Sequence, residues 1–308
     1  MLPEITLRTS SPAIESLVSA WLHDSRFALP RSVALVIDVG PLPDAVPDER
    51  AVFQAGRVQI RTRGVTENAR LDWGPGLGHA VIEPGSTKAR VVVTEEGLAK
   101  QNEFLRSFLL NVCILLVRRI GLHHVHAATL RDPIGRGWLL VGTSGSGKST
   151  TTALLARHGW GMGTDDCAFL AAGSTPSTTD VIAWRERLAL RGDSTQAFGQ
   201  HGGTALADRG KTGWFAEELG AVWISRLTPA VVAFPVVSAD APTAVASMRA
   251  RDALSRVMLS SPWVALEADV ADEHLGLMTH LVEHARCVQL TLGRDLFERP
   301  DLLLELVA

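Results

Sequence analysis

Short apolar runs separated by glycine and proline turns dominate the first 120 residues, a pattern typical of β-strands. Two helices are predicted beside them. One lies in SPAIESLVSAWLHDS, and the other runs from about Glu96 to Ile120, where apolar residues recur every three or four positions. Residues 1–120 are therefore predicted to form a small mixed α+β domain with a linking helix. Its predicted strands are SVALVIDV, AVFQAGRVQIRT, RLDWGPG, HAVIEP and ARVVVTEE.

From residue 121 onward predicted strands and helices alternate, which indicates an α/β domain over residues 121–308. A polar, glycine-rich stretch from Asp193 to Gly213 is long for a connection, which indicates a mobile functional loop or partial disorder. Helices are expected near residues 250–259, 272–285 and 300–307. The expected strand regions are VHAATLRD, GWLLVG, GMGTDDCAFLAAG, AVVAFPVVS and CVQLTLG, and GKSTTTALLARHG is a further expected helix.

The composition excludes several classes of protein. Of the 308 residues 46% are hydrophobic and 20% are charged, so a sizeable core is expected. A net charge of −3 gives no sign of the basic surface that binds a nucleic-acid backbone, so no nucleic-acid partner is expected. The longest apolar run, Phe108 to Val117, is too short to span a bilayer, and the first residues show no signal peptide. We therefore expect no membrane association and a cytoplasmic location, which three separated cysteines also fit.

One segment carries specific chemistry. GTSGSGKS, at residues 142–149, fits the phosphate-loop pattern G-x-x-x-x-G-K-[ST], with an expected strand before it and an expected helix after it. Its glycines let successive N–H groups point at phosphate oxygens, and the helix N-terminus adds partial positive charge. Lys148 would reach the β- and γ-phosphates and Ser149 would hold Mg²⁺. The predicted nucleotide-binding residues here are Gly142, Thr143, Ser144, Gly145, Ser146, Gly147, Lys148, Ser149 and Thr150.

Kinases, motor ATPases and GTPases all use such a loop, so the loop alone does not identify the reaction. Residues near the loop in the sequence reduce the number of possible reactions. The chain lacks the LSGGQ-like run and Asp-Glu strand end of transport ATPases and the NKxD motif of GTPases. Instead Asp165 and Asp166 follow Lys148 by 17 and 18 positions, on the next expected strand, where they would face Lys148 and Mg²⁺. Upstream, His126 precedes the loop by 16 positions, and a strand, a turn and a second strand would return it to the loop.

A metal site built from three nearby histidines is disfavoured, because adjacent strand residues point to opposite faces. His123 and His124 are interpreted as exposed or core residues, and His126 alone as an active-site residue.

Together these elements resemble the HPr kinase/phosphorylase family. That family has a histidine-bearing segment, two strands, a G-x-S-G-x-G-K-S loop and an A-D-D motif in the same order. Here the order reads VHAATL, GWLLVGTSGSGKSTTTALL and GTDDCAF, and LALRG at residues 188–192 is similar to the family's L-E-I-R-G. The resemblance covers residues 121–195. It implies an α/β P-loop kinase core of the HPr kinase type that uses ATP and Mg²⁺.

The resemblance also implies a role for each matching residue. Lys148 would bind phosphate, and Ser149 and Asp165 would hold the metal. Asp166 would be the general base that takes the proton of a substrate serine. His126 would support the acidic pair, and Arg191 would lie near the phosphates.

Two departures from the family pattern matter. Ala189 stands where the family has an acidic metal ligand, and Glu186 is out of register, so that role is not transferred. The arginine-bearing P-V-x-P-G-R-N segment, linked to phosphorolysis of phosphoserine, is missing, which points to a kinase-only relative. The kinases of lasso-peptide gene clusters, which phosphorylate a precursor peptide on a C-terminal serine, are such relatives. GKTGWFAEELG and VQLTLGRDLFERPDLL look similar to that branch.

The resulting prediction is a kinase that phosphorylates a serine of a peptide or small protein, such as a lasso-peptide precursor. Three alternatives stay open: an HPr-type protein serine kinase, a small-molecule P-loop kinase, and a nucleotide-binding regulator without catalysis. HPr-type members assemble as hexamers, so the resemblance also implies a homo-oligomer. Lys211, one of only four lysines, would reach substrate or phosphate if residues 193–213 close as a lid; the other interpretation is a solvated lysine.

Overall fold

The computed structural model divides into two units, Met1–His123 with Trp263–Glu273, and His124–Pro262 with His274–Ala308. It is a mixed α/β structure with several sheets. Within the described residues, no helix combines the length and apolarity needed to cross a membrane. The structure describes residues 4–25, 29–44, 50–55, 58–62, 69–74, 76–100, 103–175, 177–197, 203–206, 210–266, 268–299 and 301–307.

The first unit is built on a seven-stranded sheet in the order β1-β2-β7-β6-β5-β4-β3. Strands β1, β2 and β7 run parallel, and the remaining pairs are antiparallel. Burial alternates along β2, β5 and β6, as expected where one face of a strand meets a core. The elements are β1 (Ile5–Arg8), α1 (Pro12–Asp24), β2 (Val33–Val39), β3 (Arg50–Ala55), β4 (Val58–Thr62), β5 (Ala69–Trp73), β6 (Gly78–Ile82), β7 (Lys88–Val93), α2 (Glu95–Ala99) and α3 (Glu103–Arg118).

The prediction of a single helix from Glu96 to Ile120 is wrong, because the structure has two helices, α2 and α3, in this region. Thr94 caps α2 by accepting a hydrogen bond from the N–H of Gly97 at 3.1 Å, and α2 ends after one turn, with Lys100 as its C-cap. The apolar stripe continues in α3, a separate helix. Residues 101 and 102, between the two helices, lie outside the described residues. An apolar stripe with a helical period does not reveal such a break, because both helices contribute to it.

The rest of the chain is built on a nine-stranded sheet in the order β16-β12-β11-β8-β9-β17-β19-β18, with β10 paired to β8. The central strands β9, β17 and β19 are parallel, and β9 is buried along its whole length. The elements are β8 (His123–Arg131), β9 (Gly137–Val141), α4 (Lys148–Arg157), β10 (Gly161–Met162), β11 (Cys167–Ala172), β12 (Thr179–Ala183), β13 (Leu188–Leu190), α5 (Gly192–Ala197), β14 (Thr204–Leu206), β15 (Lys211–Trp214), β16 (Arg226–Leu227), β17 (Pro229–Val237), β18 (Ala244–Ser247), α6 (Ala250–Leu259), α7 (Ala268–His284), β19 (Arg286–Leu292), α8 (Asp295–Glu298) and α9 (Leu302–Val307).

The core of this unit lies where α4 meets the sheet. Leu154 and Leu155 of α4 belong to one buried cluster with Leu130 of β8 and Leu140 of β9. Burial of these side chains fixes α4 against β8 and β9.

The stretch from Asp193 to Gly213 has more regular structure than the sequence analysis expects. Its described residues include most of α5, all of β14 and the start of β15. Strand β15 pairs with β13 on one side and with β14 on the other, in a small antiparallel sheet. Residues 198–202 and 207–209 lie outside the described residues. Lys211, the proposed lid lysine, is the first residue of β15.

Candidate active site

The glycine-rich loop connects the end of β9 to the start of α4, in the strand–loop–helix order that the sequence analysis expects. Gly147, its last residue, has φ +100°, and a Cβ atom there would lie 2.4 Å from Leu292 Cδ1. Only glycine fits both conditions without strain. A glycine N-cap offers no side-chain oxygen to the first-turn N–H groups of α4, which suits them to an anionic ligand.

Lys148, the first residue of α4, is 5% exposed and lies in a cavity wall. Its Nζ donates hydrogen bonds to the carbonyl oxygens of Gly142 at 2.6 Å and Thr143 at 3.3 Å. Burial lowers the pKa of Lys148, and the carboxylates of Asp166 and Asp165 oppose that shift. The loop carbonyls therefore hold the amino group beside the position that phosphate oxygens take in such a loop.

Asp165 and Asp166 form an acidic pair in the turn between β10 and β11, which is called the acidic turn below. The prediction that the pair lies within a strand is wrong. Main-chain bonds tie this turn to β8. The N–H of Gly163 donates to the Thr129 carbonyl and the N–H of Thr129 donates to the Thr164 carbonyl, both at 2.9 Å. The Thr129 hydroxyl oxygen also accepts a hydrogen bond from the N–H of Thr164 at 2.9 Å. The turn is therefore fixed on the strand that neighbours β9, and with it the two carboxylates.

Asp165 lies beside the loop helix. Its Oδ2 accepts hydrogen bonds from Ser149 Oγ at 2.8 Å and from the N–H of Ala189 at 3.4 Å. Its Oδ1 is buried and, among the described residues, has no hydrogen-bond partner. Burial, followed by the charge of Asp166, raises the pKa of Asp165 to about 6. A buried carboxylate oxygen that lacks a partner is a costly group unless a cation or donor meets it.

The residues at this position fit Mg²⁺. A serine hydroxyl and a carboxylate are hard oxygen ligands, and Mg²⁺ in such sites takes one or two carboxylates together with substrate phosphates and water. Within the ranges that the structure describes, no group of three or more His, Cys, Asp or Glu side chains could hold a metal ion. Ser149 and Asp165 would hold Mg²⁺ only together with a nucleotide.

His126 lies at the start of β8, directly before Ala127, which pairs with Val141 at the end of β9. This register places His126 beside the first residue of the loop. Its Nδ1 lies 2.7 Å from Asp166 Oδ1, and both side chains are partly exposed. The two side chains are therefore in close polar contact at a position that solvent and ligands can reach.

His124 is a core residue. It is 7% exposed, and its ring packs edge-on against Phe169 with 5.6 Å between the ring centroids. Burial, followed by the charge of His126, lowers the pKa of His124 to about 3, so the ring is neutral at physiological pH. His123 is also buried.

Glu186 is a site residue that the sequence analysis does not find. It lies between β12 and β13, partly buried, in the wall of the same cavity as Lys148. Its Oε1 accepts hydrogen bonds from Thr164 Oγ1 at 2.6 Å and from the N–H groups of Asp166 and Cys167, each at 2.9 Å. Burial, followed by the charge of Asp166, raises the pKa of Glu186 to about 8. In the sequence, the available signal for Glu186 was that it is the one acidic residue of the run IAWRERLALRG.

A cavity of about 520 Å³ brings most of the predicted site residues together, and this volume is within the range of small-molecule sites. Lys211 also lines the cavity, together with Glu186 and Arg294. The predicted residues in its wall are His126, Ser144, Gly145, Gly147, Lys148, Ser149, Thr150, Asp165, Asp166 and Arg191. Three predicted loop residues, Gly142, Thr143 and Ser146, instead line a second cavity of about 380 Å³ on the β17 side of the loop.

Comparisons with known proteins add a structural likeness. No family model matches the chain, and no curated protein matches it. Among solved structures, the HPr(Ser) kinase/phosphatase from Coxiella burnetii aligns with 59% of this chain and 94% of its own, at 12% sequence identity and a TM-score of 0.30. A likeness of this size carries no argument about function.

Proposed function

We propose that this protein is an ATP-dependent kinase that phosphorylates a serine hydroxyl of a peptide or small protein. The observation that carries the proposal is the Asp166–His126 pair, 2.7 Å apart, in the wall of the cavity that also contains Lys148. A site that only binds nucleotide needs the loop and its lysine. A carboxylate held beside a histidine in the same cavity supplies a group that can accept a proton.

The phosphate end of the site is formed by the loop and α4. The N–H groups at the start of α4 and the amino group of Lys148 would bind the β- and γ-phosphates. Ser149 Oγ and Asp165 would hold Mg²⁺, which neutralises charge on the transferred group when it is bound. Arg191, exposed at the cavity wall, would add positive charge near the phosphates. Positioning and charge neutralisation are the main demands of phosphoryl transfer.

The acceptor end is formed by Asp166. Its carboxylate would take the proton of the serine hydroxyl as the serine oxygen bonds to the γ-phosphorus and the bond between that phosphorus and the ADP oxygen breaks. The contact with His126 engages Oδ1 and would orient the carboxylate toward the acceptor. The products are phosphoserine and ADP, and the proton stays on Asp166 until solvent removes it.

The acceptor class rests on the sequence resemblance. The stretches GKTGWFAEELG and VQLTLGRDLFERPDLL are similar to the kinases of lasso-peptide clusters, which act on a C-terminal serine of a precursor peptide. In this chain the first stretch contains β15 and the second contains part of β19 together with α8. Both supply residues to the cavity wall, namely Lys211 and the segment around Arg294. A peptide with a terminal serine is accordingly the acceptor to test first.

The test is a transfer assay with ATP labelled at the γ-phosphate, Mg²⁺ and a panel of acceptors. The panel contains peptides that end in serine, the same peptides with the serine inside the chain, matched alanine peptides, and small hydroxyl compounds. We expect labelled phosphate on the serine peptides and not on the alanine peptides. Transfer only to small compounds would replace the proposal with a small-molecule kinase. Nucleotide binding without any transfer would leave a regulator.

A further inference from the structure

We propose that Glu186 is a positioning residue, which holds the acidic turn so that Asp166 meets His126 and the cavity. The inference rests on the kinase activity proposed above. Glu186 is out of register with the acidic residue of the family's L-E-I-R-G motif. Its carboxylate contacts the acidic turn directly.

The contacts of Glu186 converge on one oxygen. Oε1 accepts two successive main-chain N–H groups, those of Asp166 and Cys167, and the hydroxyl of Thr164. These three donors span the acidic turn from the residue before the pair to the residue after it. Fixing the N–H of Asp166 fixes the start of the residue whose side chain meets His126. An acceptor that engages consecutive N–H groups holds the main chain and not only a side chain.

The residues on either side hold Glu186 in place. Arg185 and Arg187 pair with Glu217 at 3.1 Å and Glu218 at 2.6 Å, which lie in the short 3₁₀ helix Ala216–Leu219. Both guanidinium groups also lie over the ring of Phe215, at 4.1 and 4.0 Å from its centroid.

These contacts anchor the chain on both sides of Glu186. Glu186 lies between the two anchored arginines, and its carboxylate contacts the acidic turn.

The same segment also supports the second carboxylate. The N–H of Ala189, three residues after Glu186, donates to Asp165 Oδ2 at 3.4 Å. Residues 185–189 thus hold the main chain of the turn through Glu186 and the side chain of Asp165 through Ala189. This arrangement does the positioning without an acidic residue at position 189.

The test compares three variants of the protein. Glu186→Ala removes the acceptor, Glu186→Gln keeps a carbonyl oxygen in its place, and Glu186→Asp keeps the carboxyl group but withdraws it by one methylene. Glu305→Ala, a change of an exposed carboxylate in α9, is the control for loss of a carboxyl group elsewhere in the chain. Two readouts are taken: kcat with the KM for ATP, and the hydrogen-exchange rates of the Asp166 and Cys167 amides.

We expect Glu186→Ala to lower kcat by roughly 100-fold, the size of effect that a displacement of about 1 Å produces, with the KM for ATP unchanged. Its Asp166 and Cys167 amides should exchange faster. Glu186→Gln should recover most of kcat and of the amide protection. If Glu186→Ala does not fold, Glu186→Asp takes its place and should show both effects in smaller size.

Normal kcat and normal amide protection in Glu186→Ala, or in Glu186→Asp where the alanine variant does not fold, would overturn the inference. Loss of both in Glu186→Gln, equal to that in Glu186→Ala, would overturn it as well, because the retained acceptor would then have no effect. The exchange rates separate this inference from the proposed function. If the wild-type protein transfers phosphate to no acceptor, the kinase proposal fails, and the amide protection still decides whether Glu186 holds the turn.

Discussion

Replacing Asp165 by asparagine should stabilise the unliganded protein at neutral pH and remove the extra stabilisation that Mg²⁺ adds to ATP. Burial raises the pKa of Asp165 from 3.8 to about 6. Between these pH values the folded protein keeps a proton that the unfolded chain has released, so the free energy of unfolding falls as the pH rises. At about 1.4 kcal/mol for each pKa unit, the total loss is about 3 kcal/mol and is complete above the folded-state pKa. Asparagine carries no charge and avoids this loss.

The assay is urea unfolding of the wild-type protein and Asp165→Asn at several pH values from 3.5 to 8. Near pH 3.5 the two proteins should be about equally stable, because Asp165 is then largely protonated in both states. Above pH 7 the variant should be more stable by up to about 3 kcal/mol. Addition of Mg²⁺ to saturating ATP should then stabilise the wild-type protein further and leave the variant nearly unchanged, since a ligand stabilises only the state that binds it.

Asp132 offers a matched control in the same unit. Burial acts to raise the pKa of Asp132, but hydrogen bonds from Arg136 and Trp138 outweigh it and lower the pKa below 3.8. A lowered pKa adds stability above the unfolded-state value, and this stability is lost as the pH falls through the folded-state value. Asp132→Asn should therefore destabilise the protein at pH 7, the opposite sign. A difference between wild type and Asp165→Asn that does not change with pH, or a less stable variant at pH 7, would refute the reasoning.

Three further substitutions test other parts of the site. Gly147→Ala should destabilise the protein by at least about 1 kcal/mol in thermal unfolding, because φ +100° and the 2.4 Å approach to Leu292 both exclude a Cβ atom; unchanged stability would contradict the loop geometry. Ser149→Ala should weaken ATP binding in the presence of Mg²⁺ but not in its absence, as measured by calorimetry; equal losses in both conditions would contradict a metal role. His126→Ala should lower kcat by roughly 10- to 100-fold, the size expected when the general base loses the contact that orients it, with the KM for ATP unchanged. A normal kcat in that variant would contradict the orienting role of His126.

The sequence predicts those parts of the site whose determinants are local. The loop, Lys148 and Ser149 follow from eight consecutive residues between an apolar strand and a helical pattern, and the structure places them in that order. The approach of His126 to the loop follows from simple connectivity, since β8 and β9 are joined by a short turn and pair antiparallel. Neither inference needs knowledge of distant residues.

Glu186 could not be predicted in the same way. Its contact with the acidic turn depends on the path of the chain from β12 to β13, and two of its three donors are main-chain N–H groups. Every residue except proline has a main-chain N–H group, so the sequence does not show which of these groups will contact Glu186. The sheet of β13, β15 and β14 was missed for a different reason, because strands of three or four residues are too short to show an alternating pattern.

The most direct test of the central claim is the rate of γ-phosphoryl transfer to a serine acceptor by the wild-type protein and Asp166→Asn, with the Kd for ATP measured on both. The account expects transfer by the wild-type protein and a loss of at least roughly 100-fold in the variant, because asparagine cannot accept the hydroxyl proton. The Kd for ATP should stay nearly the same, since Lys148 and the loop are unchanged. Transfer by Asp166→Asn at the wild-type rate would contradict the account.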